Sequence, residues 1–117
     1  MDNQRATTIL PCNDLDASLA FYEQLGFRLT SDHGDYKILE DGKGWHLHLN
    51  KAVPGWLVPG QNPFGIYLYT EDVDGVAERV RELILEPEGP SLKPWGCYEF
   101  AVSDPDETLV RIGRIAG

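Results

Sequence analysis

Hydrophobic positions repeat with a helical period near the start of the chain. Residues three and four apart are apolar and those between them are mostly polar, which is typical of a helix with one buried face. The apolar positions are Leu15, Leu19, Tyr22 and Leu25, widened by Ala17, Ala20 and Phe21. Asn13 or Asp14 can cap the start of this helix, and Gly26 can supply a left-handed residue at its end.

Short runs rich in β-branched and aromatic residues, separated by Gly, Asp and Pro turn signals, predict the strands. They cover residues 6–10, 27–31, 35–40, 45–50, 64–70, 96–102 and 108–112. A second amphipathic helix is predicted over 72–85. The order strand, helix, strands thus occurs twice, with the strand after the second helix least clear. We expect an α+β fold with curved mixed sheets and the helices outside.

The 117 residues form one domain by size, residues 1–117. Its parts are a first module at about 5–51, a Pro/Gly-rich loop at 52–62 and a second module at about 63–115. Nineteen acidic against ten basic residues give a net charge of −9. This charge disfavours nucleic acid and anionic membranes as partners and favours cations, although acidity can also serve solubility alone.

The two cysteines, Cys12 and Cys97, have no metal-type spacing. Reduced thiols in a cytosolic protein are the favoured interpretation, and a single disulfide stays open. The first eight residues lack the order of a signal peptide, and the chain has no apolar run of membrane-spanning length. We therefore expect a soluble, cytoplasmic protein.

Two segments resemble the vicinal oxygen chelate superfamily, which includes glyoxalase I, the extradiol dioxygenases and the bleomycin-resistance proteins. LPCNDLD at 10–16, followed by FYEQLGF at 21–27, resembles its first strand–helix unit, and VSDPDETL at 102–109 resembles its last hairpin. Trp95-Gly96 together with Arg111 is most similar to the bleomycin-resistance proteins. Glu107 departs from the pattern, because that turn usually carries Gly, and the resemblance does not extend to the middle loop.

The resemblance implies two paired βαβββ modules around a cleft, the glyoxalase/bleomycin resistance fold. It also implies a homodimer with ligand grooves at the dimer interface, and a first strand that is often exchanged between subunits; whether it is exchanged here stays open. Members of the resistance group bind the antibiotic bleomycin and transform nothing.

The superfamily's enzymes hold a divalent metal at four strand positions. Carried over, these positions fall at Thr7, at His46 or His48, near Gly65 and at Arg111. Thr, Gly and Arg are not metal ligands, and the charge of Arg opposes a cation. His46 and His48 share one face of a strand and could chelate, but we favour a polar groove wall, with no metal and no cofactor.

Aromatic residues in Pro/Gly-rich loops often line ligand clefts, and Trp56 and Trp95 lie in such loops. Trp45 is expected in the core. For the other two, the alternative is that they cover a hydrophobic edge of the sheet or the dimer interface. Flat cationic ligands suit aromatic walls in an acidic protein. The predicted ligand-binding residues are Trp56, Trp95, Tyr36, His46, His48, Glu99 and Arg111; Arg111 could instead pair with a carboxylate and brace the groove floor.

The predicted function is metal-free sequestration of a planar cationic small molecule, such as a bleomycin-family antibiotic, giving antibiotic resistance without catalysis. The first alternative is a metal-dependent lyase or dioxygenase of the same superfamily. The second is a binding module for another aromatic metabolite.

Overall fold

The computed structural model describes residues 4–116, and its chain forms two modules of the same topology. The first module contains β1 (Thr8–Cys12), α1 (Leu15–Gln24), β2 (Arg28–Asp32), β3 (Tyr36–Glu40) and β4 (His46–Lys51). The second contains β5 (Gly65–Tyr69), α2 (Val73–Arg79), β6 (Ser91–Leu92), β7 (Cys97–Ser103) and β8 (Leu109–Ile115). A single 3₁₀ turn, Arg81–Leu83, follows α2.

Each module forms one four-stranded mixed sheet. The strand order is β1-β4-β3-β2 in the first sheet and β5-β8-β7-β6 in the second. The strand before the helix pairs in parallel with the last strand of its module, and the other pairs are antiparallel. The predicted α+β fold of two βαβββ modules is therefore confirmed.

Local sequence explains where α1 begins and ends. Asp14 is its N-cap, and the Asp14 carboxylate accepts a hydrogen bond of 3.1 Å from the Ala17 amide. Gly26 has φ +113°, a left-handed conformation that a side chain would strain, and the chain turns there into β2.

The second helix is shorter than predicted, and the single helix expected over 72–85 is wrong beyond Arg79. Val80 leaves the helical region at φ −122° and ψ 26°, which keeps its side chain in the core. By Ile84 the backbone is extended, and the next amide, that of Leu85, donates to the Ala101 carbonyl of β7 at 2.8 Å. Pairing with the sheet therefore replaces the last helical turn.

One hydrophobic core runs through both modules, and polar contacts also join them. The Tyr22 hydroxyl donates to the buried Asp104 carboxylate at 2.8 Å. The Trp45 indole N–H donates to the Tyr69 carbonyl at 2.7 Å. Trp45 also packs against this core, as predicted. The Arg79 guanidinium donates to the carbonyl of Leu25, at the end of α1, at 2.8 Å.

Neither helix within residues 4–116 has the length and apolar character needed to cross a membrane. Both cysteines are free thiols, with Cys12 buried and Cys97 half-buried.

Candidate functional site

Both sheets turn one face toward the helices and the core and leave the opposite face open. Strand alternation assigns the residues, because Leu39, Leu47, Phe100 and Ile112 are core residues and their neighbours point the other way. The open face of the first sheet carries Ile9, Pro11, Tyr36, Glu40, His46, His48 and Asn50. The open face of the second sheet carries Tyr67, Tyr69, Cys97, Glu99, Arg111 and Gly113.

The most constrained group on the second open face is a carboxylate that is fully buried. Glu99 Oε1 accepts hydrogen bonds from the Tyr67 hydroxyl and from the Trp95 indole N–H, both at 2.9 Å. Glu99 Oε2 accepts one from Arg111 at 2.9 Å. Both oxygens are thus occupied by protein donors, and Glu99 orients the side chains around it.

Burial by itself raises the pKa of Glu99, but the hydrogen bonds from Trp95, Tyr67 and Arg111, with the charge of Arg111, outweigh it and leave the pKa below its ordinary value. Burial also raises the pKa of the Tyr67 hydroxyl far above the ordinary range, and its bond to Glu99 adds to the effect. Glu99 is therefore a carboxylate and Tyr67 a neutral donor at neutral pH.

The Trp95 ring is fixed by a hydrogen bond at its N–H edge, and its outer side is exposed to solvent. Its indole N–H is bonded to Glu99, and the Arg111 guanidinium carbon lies 5.2 Å from the ring centroid, in a cation–π contact. The residue is nevertheless 58% exposed. Trp95 thus presents a fixed aromatic surface, while Arg111 has the paired, bracing arrangement considered above.

A glycine makes room for this cluster. Gly113 is the β8 neighbour of both Tyr69 and Glu99, and a Cβ placed there would lie 2.6 Å from the Glu99 Cβ. Any side chain at this position would displace the carboxylate, so the close approach requires glycine.

On the first open face, Tyr36 and His48 form a pair across neighbouring strands. The Tyr36 hydroxyl lies 2.6 Å from His48 Nδ1, and the rings meet edge to face with centroids 5.3 Å apart. His46 lies one pleat away, with its Nδ1 3.8 Å from a Glu40 oxygen. Both histidines are therefore half-buried members of a polar sheet surface.

Trp56 lines an apolar cavity on the same side of the first sheet. The cavity measures about 380 Å³, and its other walls are Ile9, Pro11, Asn50, Leu57 and Phe64. Tyr36 pairs with Asn50 in the sheet, which places the cavity beside the Tyr36–His48 pair. The middle loop thus places an exposed indole at an apolar cavity next to the Tyr36–His48 pair.

The predicted site residues therefore form two groups on two sheets. Trp95, Glu99 and Arg111 form one, and Tyr36, His46, His48 and Trp56 form the other. Within residues 4–116, no hydrogen bond, ion pair or ring contact links the two groups.

The four positions that the resemblance assigns to metal ligands do not carry a set of side chains that suits a metal. His46 and Gly65 line a common cavity of about 350 Å³ with Thr8 and Tyr67, but Gly65 supplies no ligand. Arg111 places a guanidinium, paired with Glu99, at the fourth position. Across the described part of the chain, no group of three or more His, Cys, Asp or Glu side chains is arranged to hold a metal ion.

Sequence reasoning missed Tyr67, Ile9 and Phe64. Tyr67 follows Ile66 and precedes Leu68 in a strand, so alternation could have placed it on the open face. No comparable signal marks Phe64, because the contact of Phe64 with the Trp56 cavity depends on the path of the middle loop.

Several known proteins are similar to this chain in sequence and in structure. The model of the glyoxalase/bleomycin resistance protein/dioxygenase superfamily matches residues 5–112. A bleomycin resistance protein from Klebsiella pneumoniae is 29% identical over 116 residues, covering 92% of this chain and 90% of the relative. Two solved structures, a bleomycin resistance determinant encoded on the transposon Tn5 and a bleomycin-binding protein complexed with bleomycin, each superpose with a TM-score of 0.81 at 31% identity. Each match covers 96% of this chain and 98% of the other.

Proposed function

This chain belongs to the glyoxalase/bleomycin resistance protein/dioxygenase superfamily, and we propose that it is a metal-free protein that sequesters a bleomycin-family antibiotic without transforming it. The membership confirms the resemblance seen in the first helix and the last hairpin. The proposal is supported by the 31% identity to a bleomycin-binding protein complexed with bleomycin. On this proposal, resistance arises because the bound drug cannot reach its target.

The observation that carries the proposal is the fixed, open indole of Trp95. Holding an aromatic ring in its binding orientation before the ligand arrives removes the entropy of ordering it, which favours affinity. Because Arg111 already occupies one side of the ring, the outer side suits the planar, uncharged part of a ligand. The cationic part is attracted by the net charge of −9.

The binding groove is completed, on this proposal, by a second copy of the chain in a cytoplasmic homodimer. The two groups of site residues lie on separate sheets, and large apolar side chains are exposed beside them. These are Ile9, Phe64, Leu92 and Ile115. Exposed apolar surface of this kind favours association. The partner would place its Trp95 opposite the Tyr36 and Trp56 surface and so enclose a flat ligand from both sides.

Titration with bleomycin, followed by tryptophan fluorescence and calorimetry, tests the proposal. We expect saturation at one drug per groove, and a mass in solution of two chains. Trp95→Leu should weaken binding by about tenfold or more, because stacking contributes roughly 0.5–1.5 kcal/mol beyond the buried area of the ring. Trp95→Phe should retain part of the affinity. Trp45→Phe, which changes a half-buried tryptophan that packs against the core, is the control and should leave the affinity unchanged.

Metal analysis of the same sample separates the other functions. A stoichiometric transition metal that is lost on replacing His46 and His48, without a response to bleomycin, would establish the metal-dependent enzyme instead. A metal-free dimer that ignores bleomycin would leave the fold as a binding module for another aromatic metabolite.

A further inference from the structure

The middle loop is fastened to the last hairpin by a residue in an unfavourable backbone conformation. Glu107 has φ +67°, the left-handed region, and within residues 4–116 it is the one residue other than glycine with positive φ. A turn in this conformation favours Gly. A side chain at this position carries strain, and strain of this kind persists where the surrounding structure compensates for it.

The Glu107 side chain supplies a contact that glycine would lack. Its Oε1 accepts a hydrogen bond of 2.5 Å from the Gly60 amide, in the middle of the loop. Bonds from an amide to a carboxylate are among the stronger ones in proteins. The loop has two other side-chain anchors. Near its end, the Asn62 side-chain amide donates to the Asp106 carbonyl and to the Thr108 hydroxyl, both at 2.9 Å. Next to Trp56, the Asn13 side-chain amide donates to the Leu57 carbonyl at 3.3 Å, which is longer than the bond from Gly60 to Glu107.

This contact bears on the candidate site because Trp56 lies four residues before Gly60. Trp56 and Leu57 form one wall of the 380 Å³ cavity. Leu57, Val58 and Pro59 line a second cavity, of about 190 Å³, together with Asp106 and Glu107 of the hairpin. The loop segment between Trp56 and Gly60 therefore lies between the cavity and the hairpin.

We propose that Glu107 is a positioning residue. Its strained backbone conformation in the turn is offset by the hydrogen bond that anchors the loop at Gly60, and this anchor fixes the position of Trp56 in the wall of the ligand groove. Its effect on ligand affinity rests on the proposed function. Its effect on the loop does not, because the bond to Gly60 exists without a ligand.

Three variants separate the two roles of the side chain. Glu107→Gln keeps both the strained conformation and an acceptor oxygen. Glu107→Ala keeps the strain and loses the acceptor, and Glu107→Gly loses both. The Gly variant should therefore be more stable than the Ala variant, while the two share the same loss of loop anchoring.

Amide hydrogen exchange and bleomycin titration of the full-length protein measure the outcome. Exchange at Gly60 and Trp56 should accelerate about tenfold in the Ala and Gly variants and stay near the wild-type rate in the Gln variant. Bleomycin affinity should fall about threefold to tenfold in the Ala and Gly variants only. In this pattern the Gly and Ala variants differ in stability but share the same loss of anchoring, which cannot arise from general destabilisation.

Unchanged exchange at Gly60 in the Gly variant would overturn the anchoring role, whether or not bleomycin binds. Faster exchange at Gly60 with unaltered exchange at Trp56 would overturn the positioning role. If wild type does not bind bleomycin but exchange follows the expected pattern, the proposed drug fails while the role of Glu107 in fixing the Trp56 wall stands.

Discussion

Replacing Glu99 by Gln tests whether the buried carboxylate organises the second open face. The substitution preserves shape, and its carbonyl oxygen can still accept from Tyr67 and Trp95. Its amide nitrogen, however, replaces the oxygen that faces Arg111 at 2.9 Å, so two donors meet. The ion pair is lost, and Arg111 keeps its charge without a carboxylate partner.

The expected loss in the free energy of unfolding is about 2–4 kcal/mol. A hydrogen bond to a charged group contributes roughly 1.5–3 kcal/mol, and breaking a buried pair by removing one partner costs about 3–5 kcal/mol. The Arg111 side chain is 37% exposed, so water compensates part of the loss, which places the expectation below the upper figure.

Glu78→Gln is the matched control, since Glu78 pairs with Arg81 at the same 2.9 Å distance but on the surface, with its side chain 68% exposed. It should cost less than about 1 kcal/mol. Chemical denaturation of both variants at pH 7 measures the difference. An equal effect of the two substitutions would refute the argument from burial.

The pH dependence of stability provides a second test of the Glu99–Arg111 ion pair. Burial opposes ionisation of Glu99, yet its bonds to Trp95, Tyr67 and Arg111 leave the folded-state pKa below the ordinary value of 4.5. Stability from a lowered carboxylate pKa is complete above that value and is lost as the pH falls through the folded-state pKa. The difference in the free energy of unfolding between wild type and Glu99→Gln should therefore be constant from about pH 8 to 5 and should decrease below about pH 4.5.

Two further predictions concern groups whose pKa values are raised by burial. Burial, with the neighbouring Asp104 carboxylate, raises the pKa of Tyr22 far above 10, and burial does the same for Tyr67. Because the folded state keeps these protons when the unfolded chain has lost them, stability should fall as the pH rises above about 10, and absorbance at 295 nm should show both phenols ionising only on unfolding. Burial raises the pKa of the Cys12 thiol to about 11, so a thiol reagent should modify Cys97 in the folded protein and Cys12 only in denaturant. Rapid modification of both thiols in the native protein would contradict this assignment.

The first module was largely predictable because its signals are local. Asp14 and Gly26 mark the two ends of α1 by capping chemistry, and the Asp-Gly turns separate the strands. The end of α2 was not predictable in this way. The periodic pattern continues past Arg79, but the pairing of Leu85 with Ala101 of β7 depends on a strand that comes later in the chain.

In the candidate site, too, local sequence signals predicted some features, while others depend on tertiary contacts. Trp56 and Trp95 are marked by their Pro/Gly-rich surroundings, and both are exposed beside an open sheet face. The ligand contact of Glu99 stays a prediction, and its oxygens are bonded to Tyr67, Trp95 and Arg111. Two of those partners lie 32 and 12 residues away, and only tertiary structure brings them to one carboxylate.

The bond between Tyr22 and Asp104 has a consequence for how the molecule can come apart. It spans 82 positions of the chain and joins a helix of one half to the final hairpin of the other. Separating the two halves would leave the buried Asp104 carboxylate without its Tyr22 donor and would expose the common hydrophobic core to water. Melting should thus be all-or-none, with calorimetric and van't Hoff enthalpies that agree, and neither half is expected to be an autonomous folding unit.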